Sequence, residues 1–181
     1  MSIDMYNNMN KNGMSQYPRN TMHINDGGNG FKEIGLLCGI ESTEWSWGCF
    51  FADFDNDGFK DFFIANGIRR DLTNMDFIRS NYGLDFKKAI EPENMGMNKM
   101  KQLPSVETPN YIFRNKNGYE FENMNDVWGF NMPVHSRGAA YADLDNDGDL
   151  DIVVANIDTL PFIYQNNLKK SANNNYIRIG F

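Results

Sequence analysis

Two short stretches hold the residues best suited to chemistry. The first is Asp53-Phe-Asp-Asn-Asp-Gly-Phe-Lys-Asp61, and it returns as Asp143-Leu-Asp-Asn-Asp-Gly-Asp-Leu-Asp151. Both put carboxylates at loop positions 1, 3, 5 and 9 and a glycine at position 6. Alternating acidic residues on a tight turn aim their oxygens at one point, and the hard cation that suits such a cage is Ca²⁺. Gly58 and Gly148 allow the sharp turn that points those oxygens inward. Position 7, Phe59 or Asp149, is expected to contribute only its carbonyl.

An EF-hand would need a bidentate Glu at position 12 and flanking helices. Position 12 is Ile64 in one copy and Val154 in the other. The flanks read as buried strands: Cys49–Ala52 and Phe62–Ala65 in the first copy, Ala139–Ala142 and Ile152–Ala155 in the second. The expected site is therefore a strand–loop–strand cation site. A bare polar hairpin is the plainer reading, but it leaves four carboxylates to repel one another without a counter-charge.

The loops belong to a larger repeat. Displaced by 90 residues, Asn20–Asn66 aligns with Asn110–Asn156 without a gap, at about one-third identity. Matches outside the loop include Asn25/Asn115, Gly39/Gly129, Ser46/Ser136 and Gly48/Gly138. Pro161–Asn167 then resembles Asn110–Lys116, so the inherent unit is about 50 residues long. The first copy carries an insertion over Ile68–Pro109 before the second begins.

Each unit reads as four strands. In the first these are Thr21–Asn25, Phe31–Ile34, Gly48–Ala52 and Phe62–Ala65; in the second, Tyr111–Asn115, Tyr119–Met124, Gly138–Ala142 and Ile152–Ala155. Short antiparallel strands repeated around one constant loop predict a mainly β chain, part of a β-propeller of four-stranded blades. The predicted layout is a first blade at 20–67, a partly helical insertion at 68–109, a second blade at 110–157 and the start of a third unit at 161–181. A propeller has about four to eight blades, so the chain is expected to be a fragment of a larger parent whose remaining blades pack beside it. In the insertion, Thr73-Asn-Met-Asp76 predicts a capping box opening a helix through Tyr82, with further helices over 84–90 and 92–103. That insertion reads as a packed lid or as a cap facing a partner.

Composition narrows the function. The chain has 181 residues and a net charge of −7, with no basic block, which argues against nucleic acid. No apolar run is long enough to span a bilayer, and the first 20 residues are too polar for a signal peptide, so any export signal would lie outside this chain. Cys38 and Cys49 form neither a disulfide framework nor a zinc pattern, although a bridge between them is open. The 11 methionines read as gap-fillers in a core and a helical insert.

Taken together, Phe51–Gly67 and Tyr141–Asn156 resemble FG-GAP/VCBS repeats, the calcium-binding blades of integrin-α-like propellers. Trp45-Ser-Trp-Gly48, Asn66–Asn74, Pro109–Phe113 and Phe162–Asn167 make the layout similar to bacterial VCBS-repeat proteins that end in an ASPIC/UnbV domain, whose opening Asn175–Ile179 resembles. The resemblance implies two Ca²⁺ sites. One is held by Asp53, Asp55, Asp57, Asp61 and the Phe59 carbonyl, the other by Asp143, Asp145, Asp147, Asp151 and the Asp149 carbonyl. It also implies an extracellular or surface-attached protein but no single activity, since such propellers serve adhesion, ligand binding or as scaffolds beside catalytic domains. The expected role is a module in which structural calcium supports binding of a surface protein or glycan.

The alternative is a propeller that forms part of a polysaccharide-degrading enzyme. Catalysis needs an acid/base pair or an activated nucleophile. The two histidines, His23 and His135, read as a packed strand residue and a loop residue, and no Ser/His/Asp arrangement emerges from the sequence. No catalytic residue is expected, and the chain is read as a non-enzyme. Trp45 and Trp47 are candidate sugar-stacking residues, or else pack between blades beside the metal loop. Arg69 and Arg70 could pair with acidic groups on a partner or on the propeller rim.

Overall fold

The computed structural model describes residues 19–28, 30–71, 74–82 and 101–168. The chain is mainly β. Eleven strands are present among the described residues: β1 (His23–Asn25), β2 (Phe31–Glu33), β3 (Ser46–Ala52), β4 (Asp61–Asn66), β5 (Thr108–Pro109), β6 (Tyr111–Asn115), β7 (Phe121–Asn123), β8 (Pro133–Val134), β9 (Ser136–Ala142), β10 (Asp151–Asn156) and β11 (Phe162–Tyr164). Three short helices accompany them: α1 (Gly35–Cys38), α2 (Met75–Tyr82) and α3 (Asn125–Trp128). The strands form antiparallel sheets: the four-stranded β3-β4-β6-β7, the three-stranded β11-β10-β9, and the pairs β1-β2 and β5-β8.

The predicted strands are present, trimmed or extended by a residue or two. Their pairing is offset from the sequence repeat. The four-stranded sheet takes β3 and β4 from the stretch 20–67 and β6 and β7 from the stretch 110–157. The repeat at 20–67 therefore contributes its first strand pair to one sheet and its second to another. The reason lies in β4. All six of its residues are buried, so it needs a neighbour on each side. It has β3 on one edge (Phe63 opposite Phe50) and β6 on the other (Phe63 opposite Ile112). The three-stranded sheet follows the same rule, with β10 between β9 and β11.

Alternation along β4 separates two cores. Phe62 and Ile64 face a cluster with Cys38, Ile40 and Phe113, so α1 and its flanking residues cover that face. Phe63 and Ala65 face the larger cluster, with Ile112, Phe130, Ile152 and Val154 drawn from both main sheets. Phe63 is fully buried, stacks on Phe50 at 4.9 Å and meets Phe130 edge-on at 5.7 Å. The edges of β3 and β9 also approach each other: Phe50 and Tyr141 have ring centroids 5.0 Å apart.

Two short helices were not legible in the sequence. At four residues each, α1 and α3 are too short to show helical periodicity. Their one signal is a following glycine: Gly39 and Gly129 end them in the left-handed region, at φ 70° and 81°. Asn125 pins α3 to β6 by accepting the Ile112 N–H and donating to the Asn110 carbonyl.

The insertion is closed at its base. Ile68 and Val106 form an antiparallel bridge, Asp71 N–H donates to the Pro104 carbonyl, and Arg70 donates to the Leu103 carbonyl. The predicted helix is α2, but Asn74 is its cap: the Asn74 side chain accepts the Phe77 N–H at 2.9 Å. Thr73, the expected cap, lies outside the described residues, as do the expected helix at 84–90 and most of the one at 92–103; residues 101–103 are turn and bend. Of the stretch 161–181, expected to begin a third unit, Phe162–Tyr164 form β11 on the edge of β10, and 169–181 lie outside the described residues. Cys38 is buried and Cys49 exposed, and both are free thiols. His23 is exposed in β1 rather than packed, because alternation in this edge hairpin turns it away from the cluster that takes its neighbour Met22.

Candidate metal loops

Each acidic loop joins the two strands of a hairpin, β3 to β4 and β9 to β10. Its turn is built by its own carboxylates. In the first loop Asp53 accepts the N–H groups of Asp57 (3.1 Å) and Gly58 (2.9 Å), and Asp55 also accepts from Asp57 (3.2 Å). Asp57 in turn accepts from Phe59 (2.9 Å). The second loop repeats the pattern: Asp147 N–H reaches Asp143 and Asp145, and Asp149 N–H reaches Asp147. Such side-chain-to-backbone bonds two to five residues apart are the reason Asp and Asn favour tight turns. Asn56 and Asn146 take φ 54° and 65°, a left-handed conformation that Asn tolerates.

Position 9 does a second job that the sequence did not reveal. Asp61 is fully buried; its oxygens accept the N–H of Phe54 (3.0 Å) and of Asn115 in the next strand (2.9 Å). Asp151 does the same with Leu144 (2.9 Å) and Asn166 (2.8 Å). The carboxylate thus ties the loop to the third strand, β6, in the first sheet and to the segment just beyond β11 in the second. The asparagine completes the link: Asn115 donates to the Lys60 carbonyl, and Asn166 to those of Phe54 and Leu150. Asn56 donates to the Gly148 carbonyl and so joins the two loops directly, while the Asn166 contact to Phe54 ties the segment after β11 to the first loop.

Two acidic triads result. Asp53, Asp55 and Asp61 each offer an oxygen within 4.8 Å of the others, and so do Asp143, Asp145 and Asp147. The donors are all hard oxygens, which suits Ca²⁺ or Mg²⁺ and excludes soft-metal chemistry. Asp57 and Asp151, also expected as ligands, lie outside these groups: Asp57 turns to Arg114, and Asp151 holds its two backbone donors. Phe59 leaves its ring exposed beside the turn. Asp149 brings more than a carbonyl. Its carboxyl is buried, with Oδ2 accepting the Leu168 N–H and Oδ1 without a partner.

Burial and mutual repulsion make ionising these carboxyls costly. Burial pushes Asp61 up to about 7, against its two backbone donors, and the charges of Asp55 and Asp57 add to the rise. Burial likewise raises Asp149 to about 6, helped by Asp147 and Asp151. Asp55 is raised by burial and then by Asp57, with Arg114 opposing. A bound divalent ion inverts this logic, because its own charge becomes the largest in the site.

The candidate aromatic pair stands at the other end of the sheet, not beside the metal loop. Trp47 opens β3, which runs away from it toward the acidic loop. Trp47 donates to the Gly67 carbonyl, pairs with Trp45 at 6.5 Å and lies 4.6 Å below the Arg137 guanidinium. The ring is 43% exposed.

The same end holds an arrangement that sequence reading missed. Ser105 Oγ lies 2.9 Å from His135 Nε2, and His135 Nδ1 lies 3.1 Å from Asp158 Oδ2. The residues come from the insertion, the single residue between β8 and β9, and the turn after β10, so only tertiary structure brings them together. Nucleophile, base and carboxylate in that order resemble an acyl-transfer triad. That chemistry also needs paired N–H donors for the oxyanion. The Val106 N–H beside Ser105 is spent on the Ile68 carbonyl, and Asp158 is shared with Arg69 at 3.2 Å. His135 is itself buried. These contacts make the row a latch between three segments.

Antiparallel strands in repeated order, with an acidic loop closing the β3-β4 and β9-β10 hairpins, define a class of β-repeat with acidic loops. Within it, residues 104–154 match the family model of the FG-GAP-like repeat. No curated protein matches the chain. The matched stretch runs from the end of the insertion through the second acidic loop to β10.

Proposed function

We propose that this chain is a calcium-stabilised repeat module of an extracellular or surface-attached β-propeller, and that it serves binding of a surface protein or glycan. The observation that supports it best is the pair of oxygen-lined triads, each at a loop whose buried position-9 carboxylate is bonded to the next strand or the segment just beyond it. A cation there would neutralise the crowded carboxylates and lock hairpin to neighbour. In that role Asp53, Asp55, Asp61, Asp143, Asp145 and Asp147 hold the ion, and Asp149 adds an oxygen to the second site. The ion's contribution is charge and geometry. Extracellular calcium, near millimolar, suits modest-affinity sites of this kind. No catalysis is assigned to the chain, and the Ser105–His135–Asp158 row serves the fold.

The experiment is a Ca²⁺ titration followed by calorimetry and thermal melting, on the chain and on the double variant Asp55→Ala, Asp145→Ala. Binding that raises the melting temperature, abolished in the double variant, supports the proposal. Absence of binding sinks it. Partner class is read separately, by probing a glycan array and surface proteins with the chain and with Trp47→Ala. Equal binding by both forms would remove Trp47 from the contact.

A further inference from the structure

The two loops are alike in sequence and unlike in what faces them. Phe113 of β6 pairs with Phe62, the residue after Asp61; Tyr164 of β11 pairs with Ile152, the residue after Asp151. The next residue in each strand direction is Arg114 in one sheet and Gln165 in the other. Both reach into the adjoining loop. Arg114 Nε stands 2.6 Å from Asp55 Oδ2, and its Nη2 stands 3.0 Å from Asp57 Oδ2. Gln165 Nε2 donates to Asp145 Oδ2 at 2.6 Å. One loop therefore meets a full positive charge at equivalent positions where the other meets a neutral amide.

We infer that Arg114 is a resident cation of the first loop, competing with the metal for Asp55 and Asp57, so that the second loop is the tighter divalent-cation site. This rests on the proposal that the loops take calcium. Three observations carry it. Arg114 is bound to two of the expected ligands at once, and guanidinium does not lose its charge at any working pH. Asp57 has left the triad in the first loop, whereas its counterpart Asp147 is part of the triad in the second. The second loop also keeps a buried carboxylate oxygen with no partner, Asp149 Oδ1, beside Asp147. A metal entering the first loop must displace an ion pair from Asp55. At the equivalent position of the second loop, a metal meets a neutral amide on Asp145.

The test is calcium calorimetry on the full chain after chelator treatment, with Arg114→Gln, Gln165→Arg, Asp53→Asn and Asp143→Asn. The expected result is one tighter ion in the parent chain, about two- to fivefold tighter than the second, the scale of one displaced, partly exposed charged pair. Asp143→Asn and Gln165→Arg remove that tight ion, and Asp53→Asn leaves it. Arg114→Gln raises the weaker affinity toward the tighter one. Two ions of equal affinity in the parent chain, unchanged in Arg114→Gln, would overturn this inference while leaving the calcium proposal standing. Loss of the tight ion in Asp53→Asn alone would overturn it as well. No binding in either the parent or Arg114→Gln would overturn both.

Discussion

Asp61 accepts the backbone N–H of Asn115 at 2.9 Å across 54 residues of chain, and so fastens the first acidic loop to the neighbouring strand. The carboxylate is fully buried and also accepts the Phe54 N–H. Removing it strands two buried donors. Asp61→Ala should cost about 2–4 kcal/mol even in chelator, since each buried donor left unmet costs about 1–3 kcal/mol. Asp53 bonds only to donors within its own loop, which can turn to water. Asp53→Ala should cost about 1 kcal/mol or less in chelator while removing calcium-dependent stabilisation. Urea unfolding with and without calcium separates the two, and equal losses in chelator would refute the distinction.

The raised carboxyls set the pH response. Asp61 titrates near 7 and Asp149 near 6 in the fold, both above an unfolded Asp. The folded chain then binds more protons than the unfolded one from the ordinary Asp value of 3.8 up to each folded value. Their contribution is fully present below the unfolded pKa and is lost as pH rises through the folded one. In chelator the melting temperature should therefore fall between about pH 4 and pH 7. Saturating calcium should flatten or reverse that slope. A metal-free melting temperature that climbs across this window would contradict the burial of Asp61.

Gly67 joins the end of β4 away from the acidic loop to the insertion. It sits at φ 122°, and a Cβ there would lie 2.5 Å from the Val134 carbonyl oxygen and 2.8 Å from the His135 Cα. Backbone cannot yield as a flexible side chain does. Gly67→Ala should cost about 1–3 kcal/mol or more, read as a drop in denaturation midpoint. Gly138→Ala, where an added Cβ meets nothing within 4 Å, is the control and should change little.

The Ser105–His135–Asp158 row separates latch from catalyst. His135→Ala should lower the melting temperature, because it empties a buried site and breaks both contacts. Ser105, which is exposed, should matter less. Hydrolysis of an activated aryl ester by the chain should stay at the level of Ser105→Ala. Turnover clearly above that variant would make the row catalytic.

Much of the fold was readable because it repeats. The loop spacing, the glycines at position 6 and the runs Phe62–Ala65 and Ile152–Ala155 mark the hairpins locally. Local signals could not show which hairpin pairs with which. The repeat begins at Asn20, yet the main sheet begins at β3, because β4 must be covered on both edges and β6 is the strand that does it. The placement of Trp47 at the far end of the sheet follows from strand direction, which spacing near the loop does not convey.

By itself the sequence determined the acidic loops, their oxygen chemistry and the strand character on either side, since each depends on residues within about a dozen positions of one another. Tertiary structure alone decided the rest. It set Arg114 against one loop and Gln165 against the other, turned Asp61 and Asp151 into ties to the next strand or the segment just beyond it, and joined Ser105, His135 and Asp158. The physical reason is common to all three. Charge and hydrogen bonding act through space over a few ångströms, and a neighbour 50 residues away along the chain is set only when the sheets close.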